Sequence, residues 1–357
     1  MVHDLHPVIF YIHGDLGVRW YGLSYLLGFL LAYGVAYWLV KRQRSQVTTE
    51  MLGDLTTYCA IGTLAGGRLG YCLFYSPDLF LKFKAEFPFW GVLAVNEGGM
   101  ASHGGMIGIA VACVLFARKY GISRLYLFDL VTVSGSIGVI FGRIANFING
   151  ELVGREAPAD FPLAVRFPTD IYLWPAQEPG RLEGLAAVVE KIPGQSRDHY
   201  LDLVAQQAAN PGARSQLNQV LMTIVDQIQH GNAAAKEAIA PLLTYRHPSQ
   251  LYAALGEGVV VFLVLMAVWY KPRKAGIVGA SFLIIYGIVR IVQEQFRMPD
   301  AHLGFQALGM TRGQWLSVGM TLIGVGLAIF WSRSGSLVIP GWGRVSSIKI
   351  NRRSKSE

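Results

Sequence analysis

The sequence is short of charged side chains. Of its 357 residues, only 15% are Asp, Glu, Lys or Arg, whereas 52% are hydrophobic and the mean hydropathy is +0.38. About a quarter of the residues of a soluble globular domain are charged. The composition therefore excludes an ordinary soluble domain and indicates a membrane protein.

The sequence has few cysteines and lacks several common catalytic motifs. Cys59, Cys72 and Cys113 lie within apolar runs and follow no metal-ligand or disulfide spacing, so we expect them to be small core residues. The sequence contains no HExxH zinc motif, no GxSxG nucleophile elbow and no Walker loop. Hydrolysis by those routes therefore has no support, and we expect neither a metal nor a diffusible cofactor.

Long apolar runs dominate what is present. A helix needs about 20 residues to cross a hydrocarbon layer of roughly 30 Å. Seven runs approach this length, at residues 20–40, 52–75, 98–117, 125–147, 250–270, 276–296 and 314–331. The sequence predicts an all-α integral membrane protein with seven transmembrane helices and no internal repeat.

The basic residues predict how these helices are oriented, because cytoplasmic loops are enriched in Lys and Arg. Basic clusters occur in KRQR from residue 41, RKYGISR from 118, KPRK from 271 and the tail from 332. These segments alternate along the chain, so we place them in the cytoplasm and the amino terminus outside. The net charge is +8, and the basic residues are distributed according to the predicted membrane spans. We therefore expect no nucleic-acid partner. The first residues have neither a basic region nor a clear cleavage site, so we expect no removable signal peptide.

The predicted spans divide the chain into four regions. Residues 1–147 hold helices 1–4, residues 148–249 form an external periplasmic head, residues 250–331 hold helices 5–7, and residues 332–357 form a basic cytoplasmic tail. Two apolar stripes with helical spacing predict an extra helical insertion at about 180–243. The stripes are Leu217, Leu221, Ile224 and Ile228, and Leu182, Leu185, Val189 and Ile192. They favour a small helical cap packed on itself, with a surface for a peptide partner as the alternative.

Polar side chains within the predicted spans mark a candidate site, because a charge there is costly unless it is paired or hydrated. With 1.5 Å of rise per residue, Arg143 lies about 27 Å from the cytoplasmic end of its helix, near the outer edge of the hydrocarbon. The same estimate places groups from four other helices at about 21–30 Å. They are Tyr21, Arg68, His103, Arg290 and Glu294. Five helices thus bring polar groups to the depth of the outer-leaflet phosphates.

Structural roles compete with a functional one for some of these groups. Arg68, in AGGRLGY, is compatible with snorkelling or a structural ion pair. Arg290 and Glu294 are spaced i, i+4 and can pair on one helix face. Arg143 and Asn146, in GRIANFINGELVGR, lie one turn apart before a left-handed cap predicted at residues 149–150, and are harder to explain by structure alone.

His103 is the candidate proton acceptor, since histidine readily removes a proton near neutral pH. It lies in EGGMASHGGMIG, where four glycines let other backbones or a lipid head group approach closely. A histidine satisfied structurally is the alternative. Arginine forks match phosphate oxygens two at a time and would stabilise a departing phosphate. Taken together, the residues predict a membrane enzyme that acts on phospholipids.

The motifs around these residues resemble those of the phosphatidylglycerol:prolipoprotein diacylglyceryl transferases, a bacterial inner-membrane family. The resemblance extends over nearly the whole chain. Its motifs are RWYGLSYLLGF, GGRLGYCLFY, GGMASHGGMIG, GRIANFINGELVGR, RHPSQLYAALGEG and YGIVRIVQEQFRMPD. Two departures are the length of the 180–243 region and Ala253, which stands where a glutamate often follows the tyrosine.

The resemblance implies transfer of the diacylglyceryl group from phosphatidylglycerol to the thiol of the lipobox cysteine of a prolipoprotein, with release of glycerol 1-phosphate. Eight residues match important family positions, and His103 among them matches a proposed base. They are Tyr21, His103, Arg143, Asn146, Glu151, Gly154, Arg290 and Glu294. We expect phosphatidylglycerol to bind at Arg143, Arg290, Arg68, Gly98 and Gly104. Tyr21, Asn146 and Glu151 would orient the head group and arginines, and Gly154 would serve a backbone turn.

A phospholipid flippase or transporter is the rival interpretation, because buried arginines and glycine-broken helices would also serve transport. That interpretation predicts paired repeats and polar groups near the membrane midplane. The predicted polar groups instead collect in one leaflet, and the spans do not form matching halves. A purely structural membrane protein is the third alternative.

Overall fold

The computed structural model describes residues 1–14, 16–43, 46–85, 88–95, 98–299 and 306–343. Part of the predicted basic segments, Arg44 and the tail from residue 344, lies outside these residues. The described chain divides into two compact units. The first comprises Met1–Leu26, Val139–Glu257 and Val289–Leu316, and the second Leu27–Gly138, Gly258–Ile288 and Ser317–Glu357.

A β-hairpin precedes the first helix. Strands β1 (Val8–His13) and β2 (Leu16–Arg19) are antiparallel, with Val8 opposite Arg19. Helix α1 (Trp20–Gln43) starts directly after β2 and carries its charges, Lys41 and Arg42, in the last turn. Cations at this end of a helix are favoured by the helix dipole.

Three further long helices follow α1, at the positions that the apolar runs predict. They are α2 (Met51–Phe74), α3 (Ser102–Tyr120) and α4 (Arg124–Ile148), with 3₁₀ turns at Pro77–Phe80 and Gly91–Leu93 between α2 and α3. Gly150 adopts a φ of 66° after α4, so the predicted left-handed cap is present.

Helices α2 and α3 of the second unit pack through glycine. A Cβ atom added to Gly108 would lie 1.8 Å from the carbonyl oxygen of Gly62, and one added to Gly104 would lie 2.2 Å from that of Gly66. The two backbones therefore approach as closely as only glycine allows, which is the small-residue packing common between membrane helices. The three cysteines of this unit are buried and form no disulfide, as predicted.

The head consists of short helices around its own apolar core. They are α5 (Trp174–Gln177), α6 (Ala186–Val189), α7 (Arg197–Gln206), α8 (Pro211–Gln229) and α9 (Ala233–Ile239), with 3₁₀ segments at Pro168–Tyr172, Pro179–Leu185 and Ala240–Leu242. Side chains of Ser196, Asn210 and Asn232 cap α7, α8 and α9 by accepting backbone N–H bonds.

Both predicted apolar stripes are buried in this core, which is the arrangement that a helical cap packed on itself predicts. The stripe from Leu217 to Ile228 follows α8, as its spacing predicts. The stripe from Leu182 to Ile192 is instead divided among a 3₁₀ segment, the four-residue α6 and the turn that follows α6. Pro179, Gly180 and Gly184 explain this difference, because proline and glycine are the poorest formers of a continuous α-helix.

The last helices are α10 (Ser249–Ala253), which continues through a π-helical turn (Ala254–Val260) into α11 (Val261–Val268), then α12 (Ile277–Gln293) and α13 (Arg312–Arg333). A 3₁₀ turn lies at Ala307–Gly309, and strands β3 (Arg273–Lys274) and β4 (Val338–Ile339) pair in antiparallel fashion. The buried Asp129 carboxylate accepts N–H bonds of 2.7 Å from Gly276 and Gly279, and so caps the start of α12.

Four described helical segments are long and apolar enough to cross a membrane: Trp20–Gln43, Arg124–Ile148, Ser249–Val268 and Arg312–Arg333. Ile277–Gln293 is a shorter apolar helix. A mostly helical membrane protein is thereby confirmed, whereas the count of seven spans and the orientation of the termini stay predictions. Helices α2 and α3 are not among these four segments, although both lie where the sequence predicts a span. Their glycines contribute little to the mean hydropathy.

Candidate active site

A buried carboxylate joins two of the predicted arginines within the first unit. Glu257 lies on the π-helical turn, and none of its side chain is exposed. Its Oε2 accepts bonds from Arg143 Nε at 3.0 Å and Nη2 at 2.6 Å, while Oε1 accepts from Arg290 Nη1 at 2.7 Å. The forked contact from Arg143 fixes the plane of its guanidinium group as well as its position.

Glu294 extends this ionic cluster along α12. Its Oε2 lies 3.1 Å from Arg290 Nη2 and 3.9 Å from Arg297 Nη1, so the predicted i, i+4 pairing of Arg290 with Glu294 is present. Thr311 donates its hydroxyl to Glu294 Oε1 at 3.1 Å. Gly313 leaves room for the carboxylate, since a Cβ atom there would lie 3.0 Å from Oε1.

A second polar group joins the start of α1 to the end of α4. Tyr21 donates its hydroxyl to Glu151 Oε2 at 3.0 Å, and Asn146 Nδ2 donates to the Tyr21 oxygen. Asn149 Nδ2 donates to the other oxygen of Glu151 at 2.9 Å. Asn146 lies one turn after Arg143 on α4, so this polar group is adjacent to the Glu257 cluster.

The loop after α4 is held by backbone contacts at Gly154. A Cβ atom on Gly154 would lie 2.1 Å from the carbonyl oxygen of His247 and 2.9 Å from that of Phe296. Gly154 also forms an isolated β-bridge with Arg297. The glycine is therefore required by the close approach of two other chain segments. A tight turn can also require glycine because it needs a positive φ, but the φ of Gly154 is not positive.

Buried side chains of Arg246 and Gln250 hold the same loop in place. Arg246 donates Nη1 to the carbonyl of Gly154 at 3.3 Å, and its Nε donates to Asp170. Burial raises the pKa of the Asp170 carboxyl, and the Arg246 guanidinium beside it opposes that rise. Gln250 Nε2 donates to the carbonyl of Glu151 at 2.5 Å. The backbone around Glu151 is thus positioned before any substrate binds.

Arg155 holds the loop to the end of α12. Its Nε donates to the carbonyl of Arg297 at 3.1 Å and its Nη2 to that of Glu294 at 3.4 Å. These contacts give Arg155, the last charge of GRIANFINGELVGR, a structural role in joining the loop after α4 to the end of α12.

The other predicted site residues belong to the second unit. Arg68 is buried and donates from Nε to the carbonyl of Val92 at 2.8 Å, from Nη2 to that of Gly91 at 2.6 Å, and from Nη1 to those of Gly98 and Gly99. It therefore organises the segment between α2 and α3. Gly98 is exposed with a φ of 85°, a conformation that glycine adopts without strain.

His103 and Gly104 lie at the start of α3. The His103 side chain is exposed, whereas Gly104 packs against the backbone of Gly66 on α2. The glycines beside His103 thus admit a neighbouring helix, one of the two possibilities that the sequence leaves open. Binding of phosphatidylglycerol at Arg68, Gly98 and Gly104 stays a prediction.

Sequence reasoning missed Glu257, the carboxylate that both Arg143 and Arg290 contact. The criterion that selected Arg143, an ionisable residue inside an apolar span, applies equally to Glu257 in the run 250–270. Gln250 and Arg246 were also missed, and their roles depend on segments about a hundred residues apart in the sequence. Spacing along one helix could not have shown them.

Comparison with known proteins decides the family. The family model described as prolipoprotein diacylglyceryl transferase matches residues 7–330. The chain belongs to the prolipoprotein diacylglyceryl transferase family. The match covers all the residues of the two polar groups described above.

Curated relatives with the name phosphatidylglycerol–prolipoprotein diacylglyceryl transferase align over most of their length. The protein of Bdellovibrio bacteriovorus is 61% identical over 353 residues, covering 99% of this chain and 100% of the relative. That of Chromobacterium violaceum is 36% identical over 334 residues, with 93% and 98% covered, and that of Psychrobacter arcticus is 35% identical over 347 residues, with 96% and 98% covered. This diacylglyceryl transferase family member therefore aligns with whole proteins.

Proposed function

We propose that the protein transfers the sn-1,2-diacylglyceryl group of phosphatidylglycerol to the thiol of the lipobox cysteine of a prolipoprotein. The products are a thioether-linked lipid on the protein and glycerol 1-phosphate, as in the first step of lipoprotein maturation. Family membership and the names of the relatives support this reaction. The observation that carries it is the sharing of one buried carboxylate, Glu257, by Arg143 and Arg290.

The guanidinium groups of the Glu257 cluster suit a phosphodiester, because arginine forks match phosphate oxygens two at a time. Arg143 and Arg290 keep 18% and 13% of their side chains exposed, so both can contact a ligand while they contact Glu257. The head group of phosphatidylglycerol carries one negative charge on its phosphate.

The proposed reaction is a displacement at the carbon that joins the diacylglyceryl group to the phosphate. The cysteine thiolate forms a carbon–sulfur bond as the carbon–oxygen bond to the phosphate breaks, and the bonding electrons leave on the phosphate oxygen. The phosphate thereby gains negative charge in the transition state, where fixed cations stabilise it most. Arg143 and Arg290 supply that stabilisation, and the incoming thiol gives its proton to His103 or a group near it.

The remaining predicted residues position the head group in this proposal. Tyr21, Asn146 and Glu151 form a hydrogen-bonded group beside Arg143 whose hydroxyl, amide and carboxylate can orient the glycerol of the head group. Glu294 orients Arg290, and Gly154 permits the backbone approach that fixes the loop. Both substrates are anchored in the membrane, so they would reach the site laterally from the bilayer of the bacterial inner membrane.

The test uses purified protein, phosphatidylglycerol vesicles and a peptide with a lipobox cysteine, and measures the mass of the peptide. We expect a mass increase of one diacylglyceryl group that requires the cysteine, and release of glycerol 1-phosphate. Movement of lipid between leaflets without any peptide modification would contradict the transferase and support the flippase interpretation.

Replacing Arg143 by lysine tests the role of the guanidinium group. Arg143→Lys keeps the charge but loses the two-point contact, so we expect transfer to fall at least about tenfold, the equivalent of one good hydrogen bond to a charged group. Arg214→Lys, at an exposed position of α8, is the matched control and should retain full activity. Near-normal transfer by Arg143→Lys would remove the proposed phosphate contact.

A further inference from the structure

Two histidines and an aspartate converge where the amino-terminal segment meets α8. His6, Asp226 and His230 each offer a potential ligand atom, and these atoms all lie within 4.8 Å of one another. The rings of His6 and His230 are 4.3 Å apart between centroids. All three residues belong to the first unit, and Asp226 and His230 are exposed. None of them takes part in the polar groups assigned to the transferase reaction.

The spacing along α8 places two of the three groups on one helix face. Asp226 and His230 are separated by four residues, which brings their side chains together at the carboxyl end of the helix. His230 Nδ1 lies 3.3 Å from the nearer Asp226 carboxylate oxygen. His6 reaches the same place from a segment more than two hundred residues earlier. A cation bound by all three would therefore join the amino-terminal segment to the head.

Backbone groups hold both rings in place. His230 Nδ1 lies 2.9 Å from the carbonyl oxygen of Asp226. His6 Nδ1 lies 2.9 Å from the carbonyl oxygen of Val8 and 3.0 Å from the Val8 nitrogen, whose N–H donates to it. Hydrogen bonds of this kind commonly fix the ring orientation of histidine ligands of metals.

We propose that His6, Asp226 and His230 bind a divalent transition metal, with zinc as the best match. Two imidazole nitrogens and one carboxylate are a common three-ligand set for zinc, which leaves a fourth position for water. Zinc–ligand distances of about 2.0–2.2 Å require the ligand atoms to approach to roughly 3.5 Å from one another. The exposed side chains of Asp226 and His230 can make this small movement by rotation.

The contacts around the site show what the metal would stabilise. Asp4 pairs with Lys236 of α9 at 2.5 Å, and Val2 forms a β-bridge with Arg166, so the segment before β1 already lies against the head. A metal at His6 would add a connection within the first unit at the last residues before the hairpin. We expect the bound ion to stabilise this attachment and to leave the rate of diacylglyceryl transfer unchanged.

The test measures zinc binding to the full-length protein in detergent. The protein carries a purification tag without histidine, is treated with a chelator, and is then titrated with zinc chloride against a coloured zinc indicator. We expect one equivalent to bind with a dissociation constant in the micromolar range and to raise the melting temperature. Millimolar magnesium should not compete, because imidazole ligands favour zinc.

Matched variants identify the site. His6→Gln and His230→Gln keep polar side chains, and each should weaken zinc binding at least about tenfold. His199→Gln, at an exposed position of α7, should bind zinc as the unchanged protein does. Melting curves without zinc establish that the variants are folded. The proposal fails if no saturable binding occurs, if magnesium displaces the zinc, or if folded His6→Gln and His230→Gln variants bind zinc with unchanged affinity.

Discussion

Glu257 carries one negative charge for two guanidinium groups, and its side chain has no exposed surface. Removing one member of such a buried group leaves the others without their counter-charge, which costs about 3–5 kcal/mol when the group is an ion pair. The arrangement is sensitive for a second reason. The same carboxylate fixes the direction in which Arg143 and Arg290 present their remaining N–H groups.

The Glu257→Gln variant should therefore lose both stability and transfer activity. The amide keeps the size of the side chain but cannot balance Arg143 and Arg290, so we expect a lower melting temperature in detergent and at least about a tenfold loss of transfer, the loss expected for removing a charged hydrogen-bond partner. Glu183→Gln, at an exposed position of the head, provides the control. Full activity in a stably folded Glu257→Gln protein would show that the arginines need no buried carboxylate.

Gly154→Ala should disturb the loop that carries Glu151 and Arg155. Its Cβ atom would lie 2.1 Å from the carbonyl oxygen of His247, so the backbone must move, at a cost of about 1–3 kcal/mol. Transfer should decrease together with the melting temperature. Gly180→Ala is the control, because no atom lies within 4 Å of its added Cβ. Equal behaviour of the two variants would contradict a close-approach role for Gly154.

Individual site residues were predictable to different degrees. Arg143 and Arg290 are charges in apolar runs, and the pairing of Arg290 with Glu294 follows from helix geometry alone. The partners of Arg68 were not predictable, because they are backbone carbonyls, which every residue has. The contribution of Gln250 likewise depends on a tertiary contact with the carbonyl of Glu151, about a hundred residues away.

Among the secondary structure elements, α2 and α3 are joined by backbone contact. Gly62, Gly66 and Gly108 place carbonyl oxygens and Cα atoms where side chains would normally lie. The packing depends on surface shape, since lipid provides no hydrophobic drive between apolar helices. A single methyl group at this interface should therefore have a measurable effect.

Gly108→Ala should separate α2 from α3 and lower the melting temperature, with a cost of about 1–3 kcal/mol for overpacking. Gly53→Ala on α2 has no atom within 4 Å of its Cβ and should be neutral or stabilising by up to about 1 kcal/mol, because alanine is the better helix former. Thermal unfolding of both variants in detergent provides the comparison. A Gly108→Ala protein as stable as Gly53→Ala would contradict the proposed packing.

The long helices were largely predictable from the length of the apolar runs. Each of the seven runs corresponds to a helix or to the continuous α10–α11 segment, because a helix satisfies all its backbone hydrogen bonds within itself when it crosses lipid. The division of residues 179–189 between a 3₁₀ segment and α6 was not predicted. Side-chain periodicity indicates which face is buried, but proline and glycine determine whether the backbone stays regular.

At the scale of the whole molecule, orientation in the membrane is the main prediction that needs an experiment. The chain carries three native cysteines, all buried, so an added exposed cysteine can be labelled with little background. Asn218 lies in the predicted external head and Lys271 in a predicted cytoplasmic loop, and both side chains are exposed. Single cysteines at these two positions report opposite sides of the membrane.

The predicted topology leads to a clear labelling result. A maleimide that does not cross membranes should modify Asn218→Cys in intact spheroplasts and should modify Lys271→Cys only after permeabilisation. The reverse pattern would place the head in the cytoplasm, on the opposite side from the predicted lipoprotein substrate. Equal labelling of both positions would contradict a fixed orientation based on the distribution of Lys and Arg.

The π-helical turn around Glu257 sets a limit on redesign of this protein. A π turn contains one residue more than the α-helical turn it replaces, so deletion of one residue between 254 and 260 would restore a regular helix. The flanking helical segments would keep their alignment, but the residues of the turn, Glu257 among them, would point in a different direction. A variant with a regular α-helix over Ser249–Val268 would gain regular backbone hydrogen bonds and lose the alignment of Glu257 with Arg143 and Arg290. The least regular turn of the span is therefore the one that a stabilising design must leave unchanged.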